Sequence, residues 1–235
     1  MNLSLWKCQL TSLLFILLMG LTNADDAMAQ DWAGLNHFKE ANAMLSDPSE
    51  GEHRIIFMGN SITIGWLSHY PEFFEGKPYV NRGIGGQTSS QMLLRFRQDV
   101  IDLQASVVVI LAGTNDIAGN TGPMTLEQIQ GNIHSMVQLA KAHEIIPIVC
   151  SVLPAYDYPW RPGLSPNIKI PKLNEMLKTM CVEEKVFYLD YFSKMADNRN
   201  GLPKEYTTDE VHLTPKGYRI MEKLVTDAIT QVLHE

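Results

Sequence analysis

Apolar and polar positions along the chain switch repeatedly between strand-like runs and helical spacing. Residues 106–113 (SVVVILAG) form the clearest strand pattern, continuous and β-branched, as expected for a strand buried on both faces. Shorter apolar runs at 54–59 (RIIFMG), 145–153 (IIPIVCSVL) and 186–191 (VFYLDY) predict three more, and 79–83 a weaker one. Pro147 restricts the run at 145–153 near its start. Apolar residues recur at helical spacing over 32–45, 87–103, 125–143 and 168–184, with Thr125 as a candidate N-cap. A last helix is expected with Thr214 as N-cap and Pro215 at its first position. The stretch 154–166 holds four prolines and reads as a loop. Strands alternating with helices imply right-handed crossovers, hence an α/β fold with a parallel sheet covered on both faces.

The first 29 residues fall outside that pattern. Lys7 precedes an almost unbroken apolar run at 10–21, and Ala27-Met28-Ala29 offers a small-x-small cleavage site, with Thr22-Asn23-Ala24 as a second. This is the layout of a secretory signal peptide, and the run is short for a bilayer span. An uncleaved membrane anchor is the competing reading. Cys8 precedes the apolar run, unlike a lipoprotein cysteine. Cleavage after Ala29 would leave 30–235 as a single domain, exported to the periplasm or medium, with no repeat or linker to divide it.

The net charge of −7 would then become −6, and no Lys/Arg cluster stands out, which argues against nucleic acid or an anionic membrane as partner. The two cysteines left, Cys150 and Cys181, could pair outside the cytosol or lie apart as buried thiols. His37, His53, His69, His134, His143 and His234 fall in no ligand-like block, so no metal and no cofactor is expected. The pattern leaves the oligomeric state open.

In a parallel sheet of this kind, sites gather beyond the carboxyl ends of the strands, where strand order reverses. Residues suited to chemistry do follow the strands. Gly59-Asn60-Ser61-Ile62-Thr63 follows the first, where a serine at a helix mouth can present its hydroxyl and its own N–H at the sheet edge. The block is not the G-x-S-x-G elbow, which needs glycine on both sides of the serine. Asn81-Arg82-Gly83-Ile84-Gly85-Gly86-Gln87-Thr88 follows the second, with glycines that allow close backbone approach but neither phosphate-loop spacing. Gly113-Thr114-Asn115-Asp116 follows the third, and an Asn amide there can donate to a developing oxyanion. Beyond the fifth, Asp209 stands three residues before His212, in reach of the imidazole, with Glu210 as the rival carboxylate. Each piece alone has an ordinary structural explanation: a helix cap, a tight turn, an Asn-Asp turn, a helix-entry turn.

Together the blocks resemble the SGNH hydrolases, the wider family of GDSL-type lipases and esterases. GNSIT, NRGIGGQT, GTND and D-x-x-H-L-T occur in family order between residues 59 and 214. NRGIGGQT and GTND look particularly like the catalytic subunits of platelet-activating factor acetylhydrolase and their bacterial esterase relatives. The resemblance implies a three-layer α/β/α, flavodoxin-like sandwich with five parallel strands in the order 2-1-3-4-5. It implies Ser61 as nucleophile, His212 as general base and then acid, and Asp209 as the residue that orients His212. Ser61 N–H, Gly86 N–H and the Asn115 amide would be the oxyanion donors. One departure stands out: the family's usual Gly-Asp-Ser is here Gly59-Asn60-Ser61.

The activity so implied is hydrolysis of short-chain esters, chiefly acetyl, on a small-molecule or glycan substrate. A lysophospholipase- or thioesterase-like acylhydrolase, an acyltransferase and a non-catalytic carbohydrate-binding protein are the alternatives. Tyr156, Tyr158 and Trp160 are candidate pocket aromatics in the proline-rich loop; Trp66 reads better as core.

Overall fold

In the computed structural model, which describes residues 31–234, the apolar runs become five strands of one parallel sheet. The candidate leader at 1–29 lies outside the described residues. In chain order the elements are α1 (Lys39–Met44), β1 (Ile55–Gly59), α2 (Ser61–His69), β2 (Tyr79–Gly83), α3 (Ser89–Phe96), β3 (Val107–Ile110) and α4 (Thr114–Ile117). They continue with α5 (Leu126–Ala142), β4 (Ile146–Cys150), α6 (Pro166–Glu184), β5 (Phe187–Leu189), α7 (Phe192–Met195) and α8 (Pro215–His234). All lie within the compact unit Ala33–Glu235. Among the described residues no helix is long and apolar enough to cross a membrane.

The strand order is β2-β1-β3-β4-β5, as the resemblance implies. The chain moves one way from β1 to β2 and the other way from β3 onward, so a crevice opens beside β1 at the carboxyl edge. Register sets that edge level: Gly59 pairs with Gly83, and Met58 with both Arg82 and Ile110. Gly83 is required there. A Cβ on it would run into the Ile64 N–H and come within 2.8 Å of the Asn60 carbonyl, so a side chain at the end of β2 would push α2 off the sheet.

Burial on both faces explains why the strands read as continuous apolar runs. Ile56, Met58, Val108, Ile110 and Val149 pack on one face with Met92, Phe96, Ile133 and Leu177 from α3, α5 and α6. Ile55, Phe57, Val107, Val109 and Ile148 pack on the other with Trp66, Tyr218 and Val225 from α2 and α8. Helix starts follow their capping residues. Thr125 and Gln128 form a reciprocal box at α5, and the Gly217 N–H reaches Thr214 Oγ1 at 3.4 Å on the first turn of α8.

Two expected helices are shorter than their apolar periodicity suggests. The one expected over 32–45 is confined to α1, since Gly34 takes φ +69, outside the helical region. That expected over 87–103 is regular only as α3 and then widens into a π-type turn at Arg97–Ile101. Cys150 and Cys181 are both buried and free. Burial pushes both thiols up, Cys181 to about 12.

Phe57 sits at the centre of an aromatic group, with ring centroids 5.2–5.8 Å from Trp66, Phe73, Phe74 and Tyr79. Replacing it with Ala removes both the buried area and those ring contacts, three of them edge-to-face. Phe57→Ala is expected to destabilise the protein by about 3–5 kcal/mol in urea denaturation. An unchanged midpoint would contradict the packing described.

Candidate active site

Asn60 shapes the turn after β1. It is the N-cap of α2, and its side-chain oxygen accepts the Ile62 N–H at 3.0 Å while its carbonyl accepts the Ile64 N–H. Ser61 is therefore the first residue of the helix, where a backbone N–H has no intrahelical acceptor and the helix dipole favours negative charge. From the other side of the sequence, Tyr218 on α8 donates to the Ile62 carbonyl at 2.8 Å. The helix that follows His212 is thereby pinned to the helix that begins at Ser61.

A short turn before α8 brings the other two polar groups in. Thr207 donates its hydroxyl to the His212 carbonyl at 2.8 Å and pairs with Leu213 in an isolated bridge, closing the loop between them. Asp209 accepts the N–H groups of Val211 and His212 through one oxygen and meets His212 Nδ1 at 2.6 Å through the other. His212 Nε2 lies 2.9 Å from Ser61 Oγ. Glu210 takes φ +71, and the ring bond goes to Asp209. Partial burial raises the Asp209 carboxyl, but the hydrogen bonds from the His212 ring and the two backbone N–H groups outweigh it. Its pKa lies below the ordinary carboxylate value. An ionised Asp209 holding Nδ1–H leaves Nε2 as the acceptor for the Ser61 proton, so the three groups form a connected proton path.

Gly86 and Asn115 are brought together through the residue between them in space, Gln87. The Asn115 amide donates one N–H to the Gln87 carbonyl at 2.9 Å, which fixes the amide plane and leaves its second N–H. Gly86 takes φ +77, open to glycine at little cost, and its carbonyl accepts the Asn120 amide at 3.1 Å. Asp116 locks the loop after β3 onto the start of α3, accepting both the N–H and the hydroxyl of Ser89. Burial pushes the Asp116 carboxyl up, against those Ser89 bonds.

Beneath these loops lies a residue that the motif blocks do not contain. Arg95 is fully buried and donates to the Gly59 carbonyl at 3.1 Å, the Arg82 carbonyl at 2.9 Å, Gln87 Oε1 at 2.6 Å and Asp99 at 2.9 Å. One guanidinium thus ties the ends of β1 and β2 to the loop that carries Gly86. Its signal was in the sequence: Met92, Arg95, Phe96 and Asp99 share one face of α3 and its extension, so a charged pair interrupts an apolar stripe.

The aromatic candidates separate. Trp66 is core, stacked on Phe73 at 4.4 Å. Tyr158 is buried, with its hydroxyl 3.0 Å from Thr114 Oγ1, and Tyr156 packs against Arg199. Trp160 stays 43% exposed, stacks on Tyr158, and has its ring 6.3 Å from that of His212. Among the described residues no group of three or more His, Cys, Asp or Glu side chains is placed to hold a metal ion.

Comparison with known proteins follows the same lines. The model of the GDSL-like lipase/acylhydrolase family matches residues 57–220. A solved structure from Bacteroides fragilis, assigned as an acylhydrolase, is 46% identical, with a TM-score of 0.85 over 87% of this chain and 99% of its own. A GDSL-like lipase from Bacteroides thetaiotaomicron is 44% identical, with a TM-score of 0.83 over 85% and 98%. An acetyl xylan esterase shares the fold at 18% identity, with a TM-score of 0.64 over 75% and 99%. An uncharacterized lipoprotein of Bacillus subtilis is 33% identical over 124 residues, 46% of this chain, and the match spans only about half (51%) of that relative.

Loss of the buried guanidinium should be costly. Arg95→Met strands the Asp99 carboxylate in the interior with Asn42 as its remaining partner and leaves Gln87 Oε1 without its donor. The expected loss is about 3–5 kcal/mol in denaturant unfolding. A variant as stable as the parent would overturn this account of the hub.

Proposed function

The chain belongs to the GDSL-like lipase/acylhydrolase family, and on that premise we propose that it is an exported serine esterase removing short acyl groups, acetyl foremost, from a carbohydrate. The observation that carries this reading is the chain Ser61 Oγ–His212 Nε2–Asp209, with links of 2.9 and 2.6 Å. Ser61 attacks the ester carbonyl as His212 takes its proton. The bond to the alcohol then breaks, and His212 returns the proton to the leaving oxygen. Water repeats the sequence on the acyl-serine and frees the acid. Asp209 holds the tautomer and stabilises the imidazolium formed on the way.

Negative charge on the carbonyl oxygen is met by the Ser61 N–H at the start of α2, the Gly86 N–H and the second N–H of Asn115. The Gln87 carbonyl supports the last role by fixing the amide before the charge appears. The carbohydrate assignment draws on Trp160, whose half-open ring beside His212 offers a flat apolar face to a sugar ring near the leaving oxygen. A relative sharing the fold is named an acetyl xylan esterase, in keeping with an acetyl ester as substrate. Export rests on the leader-like pattern of 1–29, and the Bacillus relative is named a lipoprotein.

Ser61→Ala and His212→Ala should each abolish release of p-nitrophenol from p-nitrophenyl acetate with an unaltered far-ultraviolet circular dichroism spectrum. Undiminished turnover in either would refute the assignment. Asn115→Ala should lower kcat by about 10²–10³ with little change in KM, because its donor acts on charge present only in the transition state. An effect confined to KM would remove Asn115 from the oxyanion site. Acetate release from acetylated xylan, set against p-nitrophenyl esters of rising chain length, tests the substrate class.

A further inference from the structure

The loop that supplies Trp160 also places a cation beside the Gly86 turn. A cavity of about 380 Å³ is bounded by Gly85, Gly86, Gln91, Asn120, Thr121 and Arg161, with no apolar side chain in its wall. Arg161 Nη1 is anchored by the carbonyls of Ala118 and Gly119, at 2.8 and 2.7 Å. Those bonds fix the plane of the guanidinium and involve only one nitrogen of a five-donor fork. Among the described residues Arg161 forms no ion pair. Asp157, the carboxylate of the same loop, is occupied by the N–H groups of Tyr158 and Gly163.

We propose that this cavity binds a carboxylate carried on the alcohol part of the ester, with Arg161 as the recognising cation, so that the preferred substrate is an acetylated acidic sugar. The inference rests on the esterase reading above and deepens it. His212 must hand its proton to the leaving alcohol, so that part of the substrate lies on the His212 side, under Trp160. Arg161 is the next residue, and its cavity is walled by the turn that carries the oxyanion donor Gly86. Trp160 and Arg161 are consecutive in the chain, so the loop that would seat a sugar ring on Trp160 carries its cation on the following residue. A planar guanidinium matches a carboxylate with two parallel bonds, which a neutral hydroxyl cannot use.

Two methyl glycosides acetylated at the same hydroxyl, one a glucuronoside and one a glucoside, test the idea. The parent protein should show a higher kcat/KM on the acidic ester. Arg161→Gln should lower the acid-to-neutral ratio about tenfold or more, mainly through KM, and Arg161→Lys should keep part of it. Equal kcat/KM on both esters in the parent, a ratio unaltered in Arg161→Gln, or a Lys variant no better than Gln would each overturn the subsite. Calorimetric titration of unacetylated methyl glucuronoside into Ser61→Ala protein separates this proposal from the esterase reading. Binding that Arg161→Gln abolishes supports the subsite even if no ester is cleaved, and binding that Arg161→Gln leaves unchanged removes it.

Discussion

A buried guanidinium holds the working edge of this molecule together. Arg95 takes the last carbonyl of β1, the Arg82 carbonyl in β2, the side chain of Gln87 and the carboxylate of Asp99. These groups come from three segments that must not drift relative to one another. Ser61 follows the first, Gly86 the second, and Asn115 is oriented by the carbonyl of Gln87 itself. A fully desolvated charge is expensive unless its donors are matched, and here two carbonyls, an amide oxygen and a carboxylate take four of its N–H groups. An apolar side chain of like volume would fill the space equally well. It would not set the three carbonyl and amide positions, and the proposed oxyanion donors depend on those positions.

The remaining part of the site is held by an independent device. His212 and Asp209 sit on a turn closed by Thr207, and α8 is fastened to the Ile62 carbonyl by Tyr218. The Ser61–His212–Asp209 chain and the proposed oxyanion donors are therefore set from opposite faces of the sheet, meeting at Ser61. Arg95 lies with the α3 side, and Tyr218 with the α2 and α8 side. The strand order makes this possible, since the reversal beside β1 leaves the turn at 59–63 open to both.

Much of this was legible in the chain because it is local. The β-branched run at β3, the caps at Thr125 and Thr214, and the fixed three-residue step from Asp209 to His212 are set by near neighbours, and motif order supplied the strand order. What could not be read depends on long-range pairing. The Gln87–Asn115 bond spans 28 residues and the Arg161–Ala118 bond 43. Neither leaves a period or a motif. Arg95 stands between the two cases: the polar break it makes in the apolar face of α3 is a local signal, but its partners on β1 and β2 leave none. The first expected helix overran because Gly34 and the turns after it interrupt a spacing that composition alone carries on. Trp160 and Tyr158 looked equivalent on the page, and only packing showed that one is core and the other open.

The departure at Asn60 is the last constraint to place. The family's usual Gly-Asp-Ser would put a carboxylate at the N-cap of α2, next to Ser61. Here the neutral amide makes the same cap, accepting the Ile62 N–H, and is 1% exposed. Because Asn and Asp cap comparably well, the helix start is preserved. The electrostatics are not. A buried anion there would oppose the oxyanion proposed at the Ser61 N–H and offset part of the helix dipole that would favour it. With Asn60, that field would reach the proposed oxyanion uncancelled, and the carboxylate beside His212 is Asp209, which bonds the far nitrogen of the ring. In the proposed reaction this keeps the fixed negative charge of Asp209 and the charge developing at Ser61 apart by the width of an imidazole.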